Sequence, residues 1–204
     1  MFRFKQFAVR QDRCPMKVGT DGVLLGAWAE VRPGDRRMLD VGTGTGLIAL
    51  MLAQRSAAWI TAVDIDVECA TQAAENFAAS PWADRLDAVS VAVQRYDPVE
   101  KFDLIVSNPP YYVDSLLSPG GRFALVLPPV EMQRFRSAAL GRLYPVRWTE
   151  VCSTPRRGVR RILAEFCTTP VPAPEPARLI IELGGPDSYT EDYRRLTGDF
   201  YLKF

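Results

Sequence analysis

From residue 37 onward the chain alternates short apolar runs with longer segments of helical spacing. "RRMLDVGTG" predicts a short buried strand that ends at Asp40 and runs into glycines. "LIALMLAQRS" has helical length and apolar spacing, and "WITAVDID" predicts a second strand ending in acids. "VECATQAAENFAAS" is an Ala-rich helix stopped by Ser80-Pro81. Three further strands are predicted in "LDAVSVAV", "FDLIVSN" and "RFALVLP", and "PVEMQRFRSAALGRL" reads as a helix behind Pro128-Pro129. Two late strands, "RRILAEFCT" and "ARLIIEL", flank the proline-rich linker "TTPVPAPEPA" and are expected to pair as a C-terminal antiparallel hairpin. Alternating strands and helices indicate an α/β fold, a mostly parallel seven-stranded sheet with helices on both faces. No boundary or repeat interrupts residues 1–204, which are expected to form a single domain.

One connection breaks the pattern. Parallel strands need a crossover of about a dozen residues or more, usually a helix. Only eleven residues run from Tyr112 to Arg122, and "SPGG" within them is a turn. The helix body is missing, and a further disordered segment, absent from these 204 residues, is expected near residues 114–117.

Composition narrows the chemistry mainly by exclusion. The chain has no histidine, which removes Ser-His-Asp and Cys-His catalysis. Cys14, Cys69, Cys152 and Cys167 form no CxxC pair, so neither a metal site nor a disulfide framework is expected, and a reducing cytoplasm is. No apolar run reaches the ~18 residues of a membrane span, and "MFRFKQFAVRQDRC" lacks a signal-peptide apolar region. Net charge is only +1, but residues 134–161 carry eight arginines against the single acid Glu150.

"DVGTGTG" follows the first strand and opens a helix. Gly42, Gly44 and Gly46 allow a tight turn and close backbone approach to a ligand. A dinucleotide fingerprint needs its third glycine where Leu47 stands, so the spacing argues against NAD. Asp64 ends the second strand 22 residues beyond Gly42, placed to accept from both hydroxyls of a ribose. A nucleoside without a pyrophosphate fits, and S-adenosylmethionine is such a ligand.

Asn108-Pro109-Pro110-Tyr111 lies just past the fourth strand, where ligands of parallel sheets bind. Each proline holds the residue before it extended, leaving the Asn108 side-chain oxygen and the Pro109 carbonyl as rigid acceptors. Two acceptors on the N–H bonds of a conjugated amino group favour a pyramidal nitrogen and turn its lone pair toward an electrophile. Tyr111 is placed to stack on the base, and no general base is needed to start.

These residues resemble the class I S-adenosylmethionine-dependent methyltransferases with an NPPY motif, which have a Rossmann-like fold. "FKQFAVRQDRCPMKVGTDGVLLGAW", "SPWADR" and "YTEDYRRLTGDFYLKF" extend the likeness over nearly the whole chain to the tRNA (adenine-N6)-methyltransferase family. That family modifies the valine tRNA adenine just 3′ of the anticodon. The resemblance implies S-adenosylmethionine as cofactor and tRNA as substrate; the residues themselves lead to the expectation of no metal, membrane or obligate protein partner. It places Lys17, Thr20 and Asp21 near the cofactor's methionine end, with Asp40, Asp64, Ile65 and Asn108 around the rest. Many relatives end strand three in an acid that receives the cofactor adenine; here Ala92 and Val93 stand there, so apolar contact and backbone groups are expected to hold it. With RNA as substrate, Arg156, Arg157, Arg160 and Arg161 become a phosphate-contacting surface. A ribosomal RNA base, a protein glutamine amide, and a non-catalytic RNA-binding scaffold are the alternatives.

Overall fold

The computed structural model describes residues 1–108, 113–185 and 187–203. Pro109, Pro110 and Tyr111, three of the four residues expected to carry the chemistry, lie outside them. A two-stranded antiparallel ribbon, β1 (Phe2–Arg3) and β2 (Ala8–Val9), leads into α1 (Thr20–Trp28). The alternating core follows as β3 (Arg37–Val41), α2 (Leu47–Arg55), β4 (Trp59–Asp64), α3 (Val67–Ala78), β5 (Leu86–Ser90), β6 (Phe102–Ser107) and β7 (Leu117–Leu127). The remainder comprises α4 (Pro129–Ala138), β8 (Tyr144–Cys152), β9 (Val159–Cys167), β10 (Ala177–Ile180) and α5 (Glu191–Thr197).

Eight strands form the main sheet, in the order β10-β8-β9-β7-β6-β3-β4-β5, and β9 alone runs antiparallel to its neighbours. The period-two alternation of the strands divides the core. Met38, Ile60, Leu104, Val106 and Val126 face α1, α2, α3 and α5. Their neighbours Leu39, Val63, Ile105, Phe123 and Leu125 face α4 through Met132 and Phe135.

The antiparallel hairpin is not the expected one. It is β8 with β9, and β10 returns parallel to β8, pairing Ala177 with Thr149. "YPVRWTEVC" carries Pro145, Arg147 and Glu150 within one run and so lacks a clean alternation; its burial comes from lying between β9 and β10. The sheet therefore has one strand more than the seven expected.

Among the described residues of the short connection there is no α-helix. A 3-10 turn at Asp114–Leu116 leads straight into β7, which begins opposite Phe102 and shifts register before Leu104. Val113, fully buried, packs on the α4 side of the sheet, part of the area a crossover helix covers in a parallel fold.

A disulfide joins Cys14 to Cys69, with Cα atoms 5.0 Å apart, against the expectation of unpaired cysteines. Their separation of 55 residues hides the pairing in the sequence; hydrogen bonds from Arg10, Arg13 and Cys14 to Asn76 and Gln72 hold the first segment on α3.

Candidate functional site

The carboxyl ends of β3, β4 and β6 converge on a cavity of about 610 Å³, roofed by the segment before α1. Gly42, Thr43, Gly44 and Thr45 form its floor; Asp64, Asp66 and Asn108 line it from the strand ends; Lys17, Thr20 and Asp21 come from the roof. The structure thus brings together residues dispersed over about 90 positions of sequence, the strand-end members among them where parallel sheets bind ligands.

The glycine turn is held from two sides. Asp64 Oδ2 accepts from the Gly44 N–H at 2.8 Å, and its Oδ1 accepts from the Asp66 N–H at 3.0 Å. A carboxylate oxygen accepts more than one hydrogen bond, so both remain able to take ribose hydroxyls. Gly46 starts α2 in the left-handed region at φ 79°. A Cβ there would meet the Phe77 ring at 2.5 Å, so this glycine serves the packing of the loop on α3 and does not line the cavity.

Asp40, expected at the cofactor, stands behind the loop. It is fully buried; its Oδ2 accepts from the Thr43 hydroxyl at 2.7 Å and the Ala49 N–H at 3.2 Å, while Oδ1 has no partner. Burial pushes its carboxyl up to about 7, against the opposing pull of those hydrogen bonds. It positions Thr43, which does reach the cavity.

The roof is stitched down by two side chains that the sequence reading passed over. Gln72 Oε1 accepts from the N–H groups of Arg13 and Cys14, and Asn76 exchanges hydrogen bonds with the backbone of Arg10 while donating to the Thr45 carbonyl. Both are buried, four residues apart on one face of α3. Two amides on the apolar face of an Ala-rich helix were the available signal. Lys17 spends its ammonium on the roof itself, donating to the Gln11 and Cys14 carbonyls.

Asn108 lines the cavity immediately beyond β6, whose last residue, Ser107, donates from its hydroxyl to the Val41 carbonyl at 2.9 Å. This anchors the amide's backbone to the central strand. Beside Gly42 and Asp64 a smaller recess of about 130 Å³ is lined by Ile65, Ala92, Val93 and Gln94. A recess next to Asp64 with Ile65, Ala92 and Val93 in its lining has the chemistry for an adenine ring. Both cavities together fit S-adenosylmethionine: acid for ribose, close backbone for the methionine chain, apolar recess for the base.

The arginines divide. Arg161 lines the cavity and donates to Asp21 at 2.7 Å. Arg156 and Arg157 are exposed at the turn of the β8–β9 hairpin, and Arg160 is exposed at the start of β9. Others of the arginine-rich stretch are engaged elsewhere: Arg147 lies 4.0 Å over the Trp28 ring and donates to its carbonyl, and Arg142 pairs with Asp114. Among the described residues no group of acids, cysteines and histidines is arranged to hold a metal, and no helix is long and apolar enough to cross a membrane.

The methyltransferase small domain matches residues 21–126. A tRNA1(Val) (adenine(37)-N6)-methyltransferase of Parabacteroides distasonis is 43% identical, covering 99% of this chain and 98% of its own. The enzyme of the same name from Flavobacterium johnsoniae is 42% identical over the full length of both chains. The alignment with the first spans 233 positions against the 204 residues here, so that relative carries positions without a counterpart in this chain. Among solved structures, a predicted O-methyltransferase of Agrobacterium tumefaciens superposes with a TM-score of 0.75 at 21% identity, over 88% of this chain and 96% of that one. A glycopeptide N-methyltransferase solved with S-adenosylmethionine superposes with a TM-score of 0.60 at 14% identity, over 76% and 90%. The eight-stranded sheet is thus a Rossmann-like class I methyltransferase fold, and the chain belongs to the tRNA1(Val) (adenine(37)-N6)-methyltransferase family.

Proposed function

We propose that this protein methylates the N6 amino group of an adenine in tRNA, the anticodon-loop adenine of valine tRNA that its relatives' name specifies. The observation that carries the reading is the position of Asn108, an amide acceptor at the end of β6, on the same cavity as the glycine turn and Asp64. When bound, S-adenosylmethionine supplies an electrophilic methyl group on its sulfonium. Asp64 accepts from the ribose hydroxyls, and Ile65, Ala92 and Val93 enclose the adenine of the cofactor. Gly42 and Gly44 keep the floor open, while Lys17, Thr20 and Asp21 stand at the roof side, by the methionine end.

Asn108 accepts from one N–H of the substrate amino group, which keeps the nitrogen lone pair available to the methyl carbon. The second acceptor, the Pro109 carbonyl, and the stacking ring of Tyr111, placed by Pro110, complete this role by sequence and lie outside the described residues. Transfer of the methyl group would release S-adenosylhomocysteine and leave one N–H strongly acidic, a proton that bulk solvent can take, so the absence of histidine is no obstacle. The target adenine leaves its stack to enter, which costs less in a loop than in a duplex. Arg156, Arg157 and Arg160 contact phosphates of the same RNA, and the protein works in the cytoplasm, where tRNA is modified. A further segment near residues 114–117 would take the surplus positions of the relatives; an intact mass of the cell-purified protein equal to that of the 204 residues would exclude it.

The test is methyl transfer to valine tRNA transcribed in vitro, with nucleosides resolved by mass spectrometry. N6-methyladenosine at a single anticodon-loop position is expected. Methylation of ribosomal RNA or of a glutamine amide, with tRNA untouched, would overturn the reading.

A further inference from the structure

A second cavity of about 510 Å³ opens beside the first and shares Gly19 and Thr20 with it. Its aromatic wall contains Tyr189, Tyr193 and Tyr201, and its polar groups include Glu182 and Lys203. Tyr189 is half-buried and stacked on the buried Tyr193, ring centroids 5.4 Å apart and planes 30° apart. Stacking on a buried neighbour limits the freedom of the Tyr189 ring and so lowers the entropy lost when a ligand settles on it.

Glu182 and Tyr189 form an antiparallel bridge. Directly opposed residues of such a pair project to the same face, so a carboxylate and an aromatic ring stand side by side at this cavity. Nucleobase recognition asks for that pairing: a flat ring to stack on, and an acceptor for the N–H donors along the base edge. Lys203 adds a cation suited to a phosphate oxygen.

The position of the cavity bears on its occupant. Ser153, which opens the β8–β9 turn, lines the second cavity, and Arg161, which follows it, lines the first. The turn between them carries the exposed Arg156 and Arg157. A basic hairpin therefore stands between two openings at the carboxyl end of the sheet.

We propose that the second cavity holds an unstacked nucleobase of the substrate RNA, a neighbour of the target adenine, stacked on Tyr189 with its N–H edge toward Glu182. The proposal rests on the reading that the first cavity methylates an RNA adenine. The RNA backbone then crosses the hairpin, and two bases enter two adjacent cavities. Opening the loop for one nucleotide exposes its neighbours, and a second pocket captures one of them.

The experiment is a double-substitution cycle on the full chain. Wild type, Tyr189→Phe and Tyr189→Ala are titrated with an anticodon stem-loop RNA and with versions made abasic at each nucleotide flanking the target adenine. Tyr189→Ala is expected to weaken binding of the intact RNA by about 5- to 150-fold, the worth of one stacked base. Tyr189→Phe retains near wild-type affinity. One abasic RNA loses affinity for wild type by a similar factor and binds Tyr189→Ala no more weakly than the intact RNA does. Cofactor affinity by calorimetry stays at the wild-type value, while the thermal midpoint of Tyr189→Ala falls by a few degrees through the lost stacking on Tyr193. Equal losses with intact and abasic RNA, or no loss at all, overturn the proposal while leaving methyl transfer in place. Absence of methyl transfer to any RNA by wild type overturns the functional reading, and this proposal with it. Should Tyr189→Ala not fold, Glu182→Gln enters the same cycle, with its loss again expected to vanish on the abasic RNA.

Discussion

Arg161 Nε donates to Asp21 Oδ2 across 2.7 Å, joining the β8–β9 hairpin to the first turn of α1 at the rim of the larger cavity. Both side chains are about one-third exposed, so the pair adds little to global stability, roughly 1 kcal/mol or less. Its consequence is local, because both residues line the cavity. Arg161→Ala should weaken S-adenosylmethionine binding severalfold in calorimetry while moving the thermal midpoint by only a few degrees. Unchanged cofactor affinity would show that the pair only trims the surface.

The exposed hairpin arginines should behave differently. Replacing Arg156, Arg157 and Arg160 together by Gln is expected to weaken tRNA binding and leave cofactor affinity alone. Each lost phosphate contact lowers the slope of log K against log salt by about 0.7–0.9, so three contacts lower it by roughly 2 to 3. Filter binding over a salt series measures this, and an unaltered slope would place the RNA elsewhere on the surface.

Much of this site is legible in the residues themselves. The glycine turn, Asp64 and Asn108 sit at strand ends, and parallel strands put their ends together, so linear spacing already implies spatial proximity. Asp40 and Gly46 carry the same sequence signal as their neighbours yet serve packing, because which side of a turn faces the ligand depends on α2 and α3 behind it. The Cys14–Cys69 bond, the clasps of Gln72 on Cys14 and of Asn76 on Arg10, and the Arg161–Asp21 pair all join segments more than 50 residues apart. Strand β8 escaped for a related reason. Its half-buried Arg147 and Trp148 are stabilised by partners on other elements, Trp28 and Arg136, which no local periodicity records.

Asn108 can be separated from the cofactor site it borders. Asn108→Ala removes one acceptor aimed at the amino group undergoing methylation, and a preorganised hydrogen bond of this kind is worth about 100- to 1,000-fold in turnover. Single-turnover methyl transfer should fall by at least that lower bound, with cofactor affinity within a few-fold of wild type. Near-normal turnover would rule out the side-chain acceptor.

Gly46 tests the packing role assigned above. Gly46→Ala places a methyl group at φ 79° and against the Phe77 ring. A destabilisation of about 1–3 kcal/mol is expected from the strained conformation alone. The double variant Gly46→Ala with Phe77→Leu should recover part of it if the clash contributes. Urea unfolding reads both, and a neutral Gly46→Ala would show that the loop relaxes freely.

Asp40 gives the protein a pH dependence of defined sign. Its carboxyl is pushed from 3.8 up to about 7 by burial, so the native state keeps a proton that the unfolded chain releases above pH 4. The unfolded state then binds fewer protons, and the contribution to stability, full below the unfolded value, is lost as pH rises toward 7. A shift of this size corresponds to a few kcal/mol, about 1.4 for each pKa unit. Asp40→Asn cannot titrate and keeps a carbonyl acceptor for the Thr43 hydroxyl. Urea midpoints measured from pH 5 to pH 8 should decline in wild type and decline less in Asp40→Asn. Above pH 7 the two curves should approach or cross, since wild type there carries a buried charge whose Oδ1 has no partner. Parallel curves over the whole range would mean that Asp40 ionises as readily in the folded protein as in the unfolded chain, and that Thr43 is positioned by an ordinary carboxylate.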